Sequence, residues 1–420
     1  FHERGLDADL ALGMVRLVRQ TVRADLRIVV MSATIEAGPV AAYLGDCPVV
    51  TSEGRTFPVD IRYRPKRPDV RWPDAAAAAT REILGRTDGD VLVFLPGMGE
   101  IRRTADLLGD TGLSLFPLHG DLPPEQQDLA LLPSPTRKIV LATNVAETSV
   151  TVEGVTVVVD TGVARQLEFD ASVGMDRLEL GPISRASADQ RAGRAGRTKP
   201  GLCVRLWDEF NHRSRAADTV PEIRRLDLAG AVLQLLAFGE DPAAFPWLDT
   251  PRPEALTAAK ELLERLGAVA GGKLTDTGVS LARLPVHPRV GRLLVEGQRL
   301  GVPGRAALAA ALLSDRDPFE RDPGGPRKPV PTDSDVLERV RALEAYESSG
   351  IEASPLGRIH RGGAWTVLQA RDQLLRLLGD APALGVASRL TDDDALMRAI
   401  FAAYPDRLAR RRGPFDDRAR

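Results

Sequence analysis

The fold is decided by the stretch Lys138-Ile139-Val140-Leu141-Ala142-Thr143-Asn144, an apolar run that ends in a hydroxyl and an amide. Four similar runs occur in the same part of the chain, at Asp90 to Leu95, Leu113 to His119, Val155 to Val159 and Gly201 to Leu206. Helical patterns separate them at Gly99 to Leu108 and Pro123 to Leu132. Continuous apolar strands that alternate with helices are typical of a parallel sheet covered on both faces. The sequence therefore predicts an α/β fold with a doubly wound parallel sheet.

Composition restricts the class of protein. The 420 residues, 43% hydrophobic and 27% charged, predict two to four globular domains. No apolar run approaches the ~18–20 residues that span a bilayer, so we expect no membrane segment. Lys and Arg number 56 against 58 Asp and Glu, so a nucleic-acid site must be a local basic groove. The two cysteines, Cys47 and Cys203, are too few for a disulfide framework or a structural zinc site, which fits a cytoplasmic protein.

The most informative polar stretch is Gln190-Arg191-Ala192-Gly193-Arg194-Ala195-Gly196-Arg197. At roughly 100° per residue, one helix face carries Gln190, Arg194 and Arg197, while Arg191 points elsewhere. An amide and two guanidinium groups on one face are suited to a polyphosphate.

The glycines of this octet, Gly193 and Gly196, are poor helix formers, but they allow close approach to the backbone. An exposed basic helix with two tolerated glycines is the alternative interpretation.

The octet resembles the arginine-finger motif of the DEAH-box helicases, and three other stretches resemble motifs of that family in the same order. They are the tail of the DExH box (Phe1-His2-Glu3-Arg4), the Ser-Ala-Thr motif (Met31-Ser32-Ala33-Thr34) and the fifth motif (Thr143-Asn144-Val145-Ala146-Glu147-Thr148-Ser149). The resemblance implies that the sheet is RecA-like, with the second helicase domain complete and the first partial. The later half resembles, more loosely, the accessory domains of HrpB-type members.

This resemblance and the change of pattern along the chain predict six segments. They are a remnant of the first RecA-like domain (1–52), a proline-punctuated linker (53–68), the second RecA-like domain (69–218), a winged-helix domain (219–285), a ratchet-like bundle (286–330) and the start of the HrpB-type C-terminal region (331–420). From the pattern alone, a generic helical bundle is as good an interpretation of 219–285 as a winged helix.

Within these segments, two features are expected beyond the main sheet. Leu26 to Val30 is an apolar run that predicts a strand ending at Ser32. Gln166 to Phe169 and Arg177 to Leu180 flank a glycine-containing turn and predict a hairpin, which in DEAH-box relatives separates strands. The cluster Arg407, Arg410, Arg411 and Arg412 is either a phosphate contact or a solvated basic stretch.

The resemblance also assigns roles residue by residue. It implies catalytic roles for Gln190, Arg194, Arg197 and His2; nucleotide contacts for Glu153, Arg194 and Arg197; RNA contacts for Gly97, Thr143 and Asn144; and coupling roles for Ser32 and Thr34. Glu153 stands where relatives often carry Asp.

The implied function is that of an ATP-dependent RNA helicase that contacts mainly the RNA backbone and uses ATP with Mg²⁺. A non-enzymatic RNA-binding or scaffold module and a DNA helicase or translocase are the alternatives. No Gly-x-x-x-x-Gly-Lys-Ser/Thr occurs in the sequence. The Mg²⁺ ligands are therefore expected upstream of Phe1, with no metal ligands in this chain, which is expected to be a fragment cut at both ends.

We predict that residues 1–420 alone show no RNA-stimulated ATPase activity. Phosphoryl transfer depends on positioning and charge neutralisation, and finger arginines cannot replace a P-loop. Phosphate release with RNA present would measure this, compared with the natural protein extended through its P-loop. Activity that survives Arg194→Ala and further purification would contradict the prediction.

Overall fold

The computed structural model describes residues 1, 4–32, 37–52, 57–147, 150–170, 174–314, 317–320, 334–379 and 390–407. They form two units. The first comprises Phe1–Leu226 with Leu248–Thr250, and the second comprises Asp227–Trp247 with Pro251–Arg420. None of the helices in these described parts is long and apolar enough to cross a membrane.

The first unit is built on a parallel sheet. The strands among its described residues are β1 (Val59–Tyr63), β2 (Asp90–Phe94), β3 (Ser114–Leu118), β4 (Lys138–Ala142), β5 (Val155–Asp160), β6 (Val163–Asp170), β7 (Met175–Pro182) and β8 (Gly201–Arg205). Six of them form one sheet in the order β1-β8-β5-β2-β4-β3, and every pair in it is parallel. The α/β class and the parallel sheet predicted from the sequence are confirmed.

In the described part of this unit, seven helices occur. They are α1 (Leu6–Thr21), α2 (Ala37–Tyr43), α3 (Trp72–Leu84), α4 (Met98–Leu108), α5 (Pro124–Leu131), α6 (Arg185–Gly193) and α7 (Glu209–Ser214). Short 3₁₀ turns occur at Asn144–Ala146, Arg194–Gly196 and Glu222–Arg224.

The sheet is buried on both faces, and successive residues of each strand alternate between two cores. Val91 and Val93 of β2 pack with the alanines of α3 on one face. Leu92 and Phe94 pack with Ala192 at the end of α6 on the other face. Side chains alternate with period two along a strand, so a strand buried on both sides must be apolar throughout. This is why the central strands are continuous hydrophobic runs.

The remaining two strands form the predicted hairpin. β6 and β7 pair antiparallel from Val163↔Pro182 to Asp170↔Met175. The hairpin follows directly from β5, because Thr161 and Gly162 are the sole residues between the two strands. It is a separate two-stranded sheet attached at the carboxyl edge of the main sheet.

The second unit is mainly helical. Its elements are α8 (Ala229–Ala237), α9 (Pro253–Arg265), β9 (Val269–Ala270), β10 (Lys273–Leu274), α10 (Asp276–Ala282), α11 (Pro288–Arg299), α12 (Pro303–Ser314), β11 (Phe319–Glu320), α13 (Asp335–Ser349), β12 (Ala353–Ser354), β13 (Gly357–Ile359), α14 (Arg361–Leu378) and α15 (Asp392–Ala403). A small hairpin follows α9, since β9 and β10 pair antiparallel. One hydrophobic core extends from Leu284 to Ala403 and includes residues on both sides of position 330.

Two expectations about the first seventy residues are wrong. Leu26 to Val30 forms no strand, and no described strand precedes Val59. A strand needs a ladder partner, and Val29 is instead 80% exposed. The expected linker contains β1, which pairs with β8 through Val59↔Gly201 to Tyr63↔Arg205 and adds an edge strand to the main sheet.

Candidate functional site

Helix α6 carries the arginine-rich octet and begins at a defined cap. The Ser184 hydroxyl accepts a hydrogen bond from the Ser187 amide at 3.1 Å, a standard N-cap arrangement. The α-helix ends at Gly193 and continues as a 3₁₀ turn over Arg194–Gly196. The expectation of one regular helix through Arg197 is therefore wrong, because a 3₁₀ turn advances by about 120° per residue.

Arg191 is the buried anchor of this helix. Its Nε donates to Oε2 of Glu147 at 2.8 Å, and its Nη1 donates to Oδ1 of Asp160 at 3.0 Å. The guanidinium carbon lies 4.7 Å from the centroid of the Phe94 ring. Arg191 is 1% exposed and Asp160 is fully buried. Burial acts to lower the pKa of Arg191, but the two carboxylates outweigh it and raise the pKa above its ordinary value.

Arg194 is held differently, by main-chain carbonyl groups. Its Nε donates to the Glu147 carbonyl at 2.8 Å, and its Nη1 donates to the Val150 carbonyl at 2.6 Å. Arg194 is 6% exposed. Burial, with repulsion from Arg197, lowers its pKa to about 10, so it remains a cation at neutral pH.

Arg197 is exposed, and its Nη1 donates to the Thr151 hydroxyl. Burial of part of its guanidinium group lowers its pKa. Within the described ranges, neither Arg194 nor Arg197 forms an ion pair with a carboxylate. No carboxylate in these ranges neutralises their positive charges, in contrast to that of Arg191.

The predicted RNA-contacting residues lie together at the carboxyl edge of the sheet. Gly97 follows β2, and Thr143 and Asn144 follow β4. These strands are neighbours in the sheet, with Phe94 opposite Ala142. Open α/β sheets bind ligands at this edge.

Gly97 has little free space above it. A Cβ atom at this position would lie 2.1 Å from Nη1 of Arg165, which is bonded bidentately to Glu100 with both distances at 2.8 Å. The Arg165 hydrogen bond lowers the pKa of Glu100. The backbone of Gly97 is thus covered by an ion pair that ties the hairpin strand β6 to helix α4.

One segment, Thr143 to Val152, connects the predicted RNA-contacting residues with the arginines of the octet. It starts at the carboxyl end of β4, and it precedes β5, which begins at Val155. Its start carries Thr143 and Asn144, and its middle supplies the carbonyl groups of Glu147 and Val150 that hold Arg194. Glu153, the predicted nucleotide contact, is exposed just beyond it.

The remaining predicted site residues are only partly described. Ser32 is exposed. The carbonyl of Met31, the residue before Ser32, accepts a hydrogen bond from the nitrogen of Phe1 at 3.2 Å. His2 and Thr34 lie outside the described residues, as do Arg410, Arg411 and Arg412.

Two important residues, Glu147 and Asp160, were not among the predicted site residues. Asp160 is the last residue of the apolar strand β5, and Glu147 lies in the stretch that resembles the fifth motif. These two positions are the signal that could have identified them. No group of three His, Cys, Asp or Glu side chains suited to a metal ion occurs in the described part of the chain.

Comparison with known proteins agrees with this geometry. Residues 75–199 match the family model described as helicase conserved C-terminal domain. The chain is 39% identical over 419 residues to the ATP-dependent RNA helicase HrpB of Escherichia coli, covering 98% of this chain and 47% of that protein. It is 34% identical to the pre-mRNA-splicing factor ATP-dependent RNA helicase prp22 of Schizosaccharomyces pombe, covering 98% of this chain and 37% of that protein.

The crystal structure of the Escherichia coli DEAH/RHA helicase HrpB is also similar, with a TM-score of 0.81 and 38% identity, covering 99% of this chain and 49% of that one. The parallel sheet and the arginine-rich helix thus define a RecA-like helicase C-terminal domain. More particularly, the chain is similar to DEAH-box helicases of the HrpB type. It spans less than half of the length of each of these relatives.

Substitution of the two glycines of the octet by alanine is expected to change the stability of the first unit to different extents. A Cβ at Gly196 would lie 2.5 Å from the Phe57 carbonyl oxygen, whereas one at Gly193 would meet nothing within 4 Å. Gly196→Ala should destabilise the first unit by about 1–3 kcal/mol through overpacking. Gly193→Ala, the matched control, should be neutral or stabilising by up to about 1 kcal/mol. Denaturant-dependent hydrogen exchange of the β8 amides measures both, and equal effects would refute this assignment.

Proposed function

We propose that this chain supplies the second RecA-like domain and the adjoining domains of an ATP-dependent RNA helicase. The observation that carries the proposal is the contrast within one motif: Arg191 is neutralised by two carboxylates, while Arg194 and Arg197 have no carboxylate partner in the described residues. The names of the relatives support the same activity.

In this proposal Arg194 and Arg197 face the γ-phosphate of ATP together with Gln190. Hydrolysis of ATP spreads negative charge over the phosphoryl oxygens, and preorganised cations stabilise that charge in the transition state. The two carbonyl groups that hold Arg194 fix its orientation before ATP binds. The guanidinium group therefore has to reorient less when the transition state forms. Glu153 would contribute on the nucleotide side of the same surface.

Mg²⁺ accompanies ATP in phosphoryl transfer of this kind. Among the described residues, no group of three carboxylate, imidazole or thiol side chains is suited to hold the ion. The proposal also assigns the coupling of nucleotide binding to the second domain to His2, Ser32 and Thr34.

The proposed RNA site is the carboxyl edge that carries Gly97, Thr143 and Asn144. A hydroxyl and an amide are suited to phosphate and sugar contacts, which position a strand without reading its sequence. The hairpin β6–β7 projects from the same edge and is proposed to separate strands.

We predict that Arg194→Ala or Arg197→Ala in the full-length natural protein lowers the RNA-stimulated turnover of ATP by about 10³–10⁵, the range expected for a lost arginine finger. RNA affinity without nucleotide should barely change. The measurements are phosphate release and fluorescence anisotropy with labelled RNA.

Arg185→Ala is the matched control, because Arg185 is an exposed arginine in the first turn of the same helix. It should retain wild-type turnover. If both finger variants turn over ATP within tenfold of wild type, the role assigned to the two arginines is wrong.

We also predict that RNA binding by residues 1–420 weakens steeply with salt and depends little on base sequence. The log–log slope should be about −0.7 for each phosphate contacted on a single strand. Asn144→Ala should weaken binding by about three- to tenfold, the value of one hydrogen bond, without changing the slope. Asn211→Ala, at another exposed asparagine, is the control.

Anisotropy titrations over a range of salt, with RNA and with DNA of the same sequence, provide this measurement. Equal affinity for both would favour the DNA translocase alternative. Normal RNA binding in a full-length protein that does not hydrolyse ATP would favour the non-enzymatic module.

A further inference from the structure

The short connection Pro221–Arg225 lies against the hairpin. The amide of Phe169, in β6, donates to the Arg225 carbonyl at 2.6 Å. Nη1 of Arg225 donates to the Leu167 carbonyl at 2.8 Å. Main-chain and side-chain atoms of Arg225 therefore both bind the outer edge of β6, close to the tip of the hairpin.

The same connection also holds the beginning of α1. Oε2 of Glu222 accepts a hydrogen bond from the Leu6 amide at 2.9 Å, and the Glu222 amide donates to the Arg4 carbonyl at 3.1 Å. The first amides of a helix have no partner within the helix, and its N-terminus carries partial positive charge. The Glu222 carboxylate therefore caps α1 from 216 residues away.

Glu222 and Arg225 are joined to each other. Nη2 of Arg225 donates to Oε1 of Glu222 at 2.9 Å. One carboxylate oxygen of Glu222 therefore binds Arg225, and the other binds the Leu6 amide of α1. The side chains are 31% and 16% exposed, respectively, so solvent screens this pair less than a fully exposed one.

A second carboxylate reinforces the same region. Asp249 contacts Arg4 at 2.5 Å and Arg224 at 3.6 Å. Arg4 is also paired with the buried Asp9 of α1 at 2.9 Å. The beginning of α1 and the connection Pro221–Arg225 are thus linked by two separate acidic side chains.

We propose that Glu222 and Arg225 form a latch that couples the position of the beginning of α1 to the position of the β6–β7 hairpin. This inference rests on the proposed helicase function, in which the hairpin separates strands. Both are positioning residues, since neither is proposed to touch ATP or RNA. A displacement of Leu6 removes one hydrogen bond from the Glu222 carboxylate and alters its pairing with Arg225, and Arg225 transmits the change to β6.

The first test needs no catalytic activity. Hydrogen exchange of individual amides is measured in residues 1–420 carrying Glu222→Gln, which keeps the size of the side chain but removes its charge. The Phe169 amide, which Glu222 does not contact, should exchange about two- to thirtyfold faster, the range expected for coupling of 0.5–2 kcal/mol. Arg225→Ala should accelerate exchange of the Leu6 amide to a similar extent.

Arg177→Ala is the matched control. Arg177 forms an exposed ion pair with Asp170 inside the hairpin, at 3.2 Å, so its loss affects the hairpin without touching the latch. Exchange of the Leu6 amide should stay at the wild-type rate. The latch is refuted if Glu222→Gln leaves exchange of the Phe169 amide unchanged and Arg225→Ala leaves exchange of the Leu6 amide unchanged.

The second test uses the full-length natural protein. Glu222→Gln and Arg225→Ala should lower the number of base pairs unwound per ATP hydrolysed, while RNA-stimulated hydrolysis stays within about twofold of wild type. A wild-type protein without hydrolysis or unwinding would refute the proposed function. A wild-type protein that unwinds RNA, with variants that keep the same ratio, would refute the latch alone.

Discussion

The interaction on which the first unit depends is the buried contact of Arg191 with Glu147 and Asp160. It joins α6 to the end of β5 and to the segment after β4, and the side chains of Arg191, Glu147 and Asp160 are 1%, 14% and 0% exposed. Burying three charged groups is costly, and removing one partner of such a set typically costs about 3–5 kcal/mol. The arrangement therefore specifies one position for α6 on the sheet, because any displacement would leave a buried charge without its partner.

This anchor also determines what Arg194 can do. Since the Glu147 side chain is occupied by Arg191, Arg194 meets the Glu147 main-chain carbonyl instead. Carbonyl groups orient a guanidinium group but do not neutralise it. The two pKa values accordingly move in opposite directions, raised for Arg191 by carboxylates and lowered for Arg194 by burial. One motif thus contains an arginine paired with two carboxylates and an arginine whose charge no carboxylate in the described residues neutralises.

The parts of the fold that follow from local pattern could be predicted from the sequence. β4 is apolar after Lys138 at its start, and the predicted range Lys138 to Ala142 agrees with the structure. β1 was missed because Val59–Tyr63 alternates with charged residues beside prolines, and α3 was missed because a run of alanines has no clear period. Glu147 and Asp160 could be recognised as candidates, but their pairing with Arg191 could not be predicted, because they lie 44 and 31 residues away from it in sequence.

The segment Thr143 to Val152 shows how the proposed RNA and ATP sites are physically related. Asn144, at the RNA edge, and Glu147, whose carbonyl holds Arg194, are separated by less than one helical turn, and the Glu147 amide donates to the Asn144 carbonyl at 2.9 Å. A displacement of Asn144 by about 1 Å would stretch this hydrogen bond beyond its normal range. Because the Glu147 side chain remains fixed by the buried anchor, the segment must either resist the displacement or rotate the carbonyl that orients Arg194. Coupling between the two sites therefore requires no movement of the sheet, only of a few residues that lie on it.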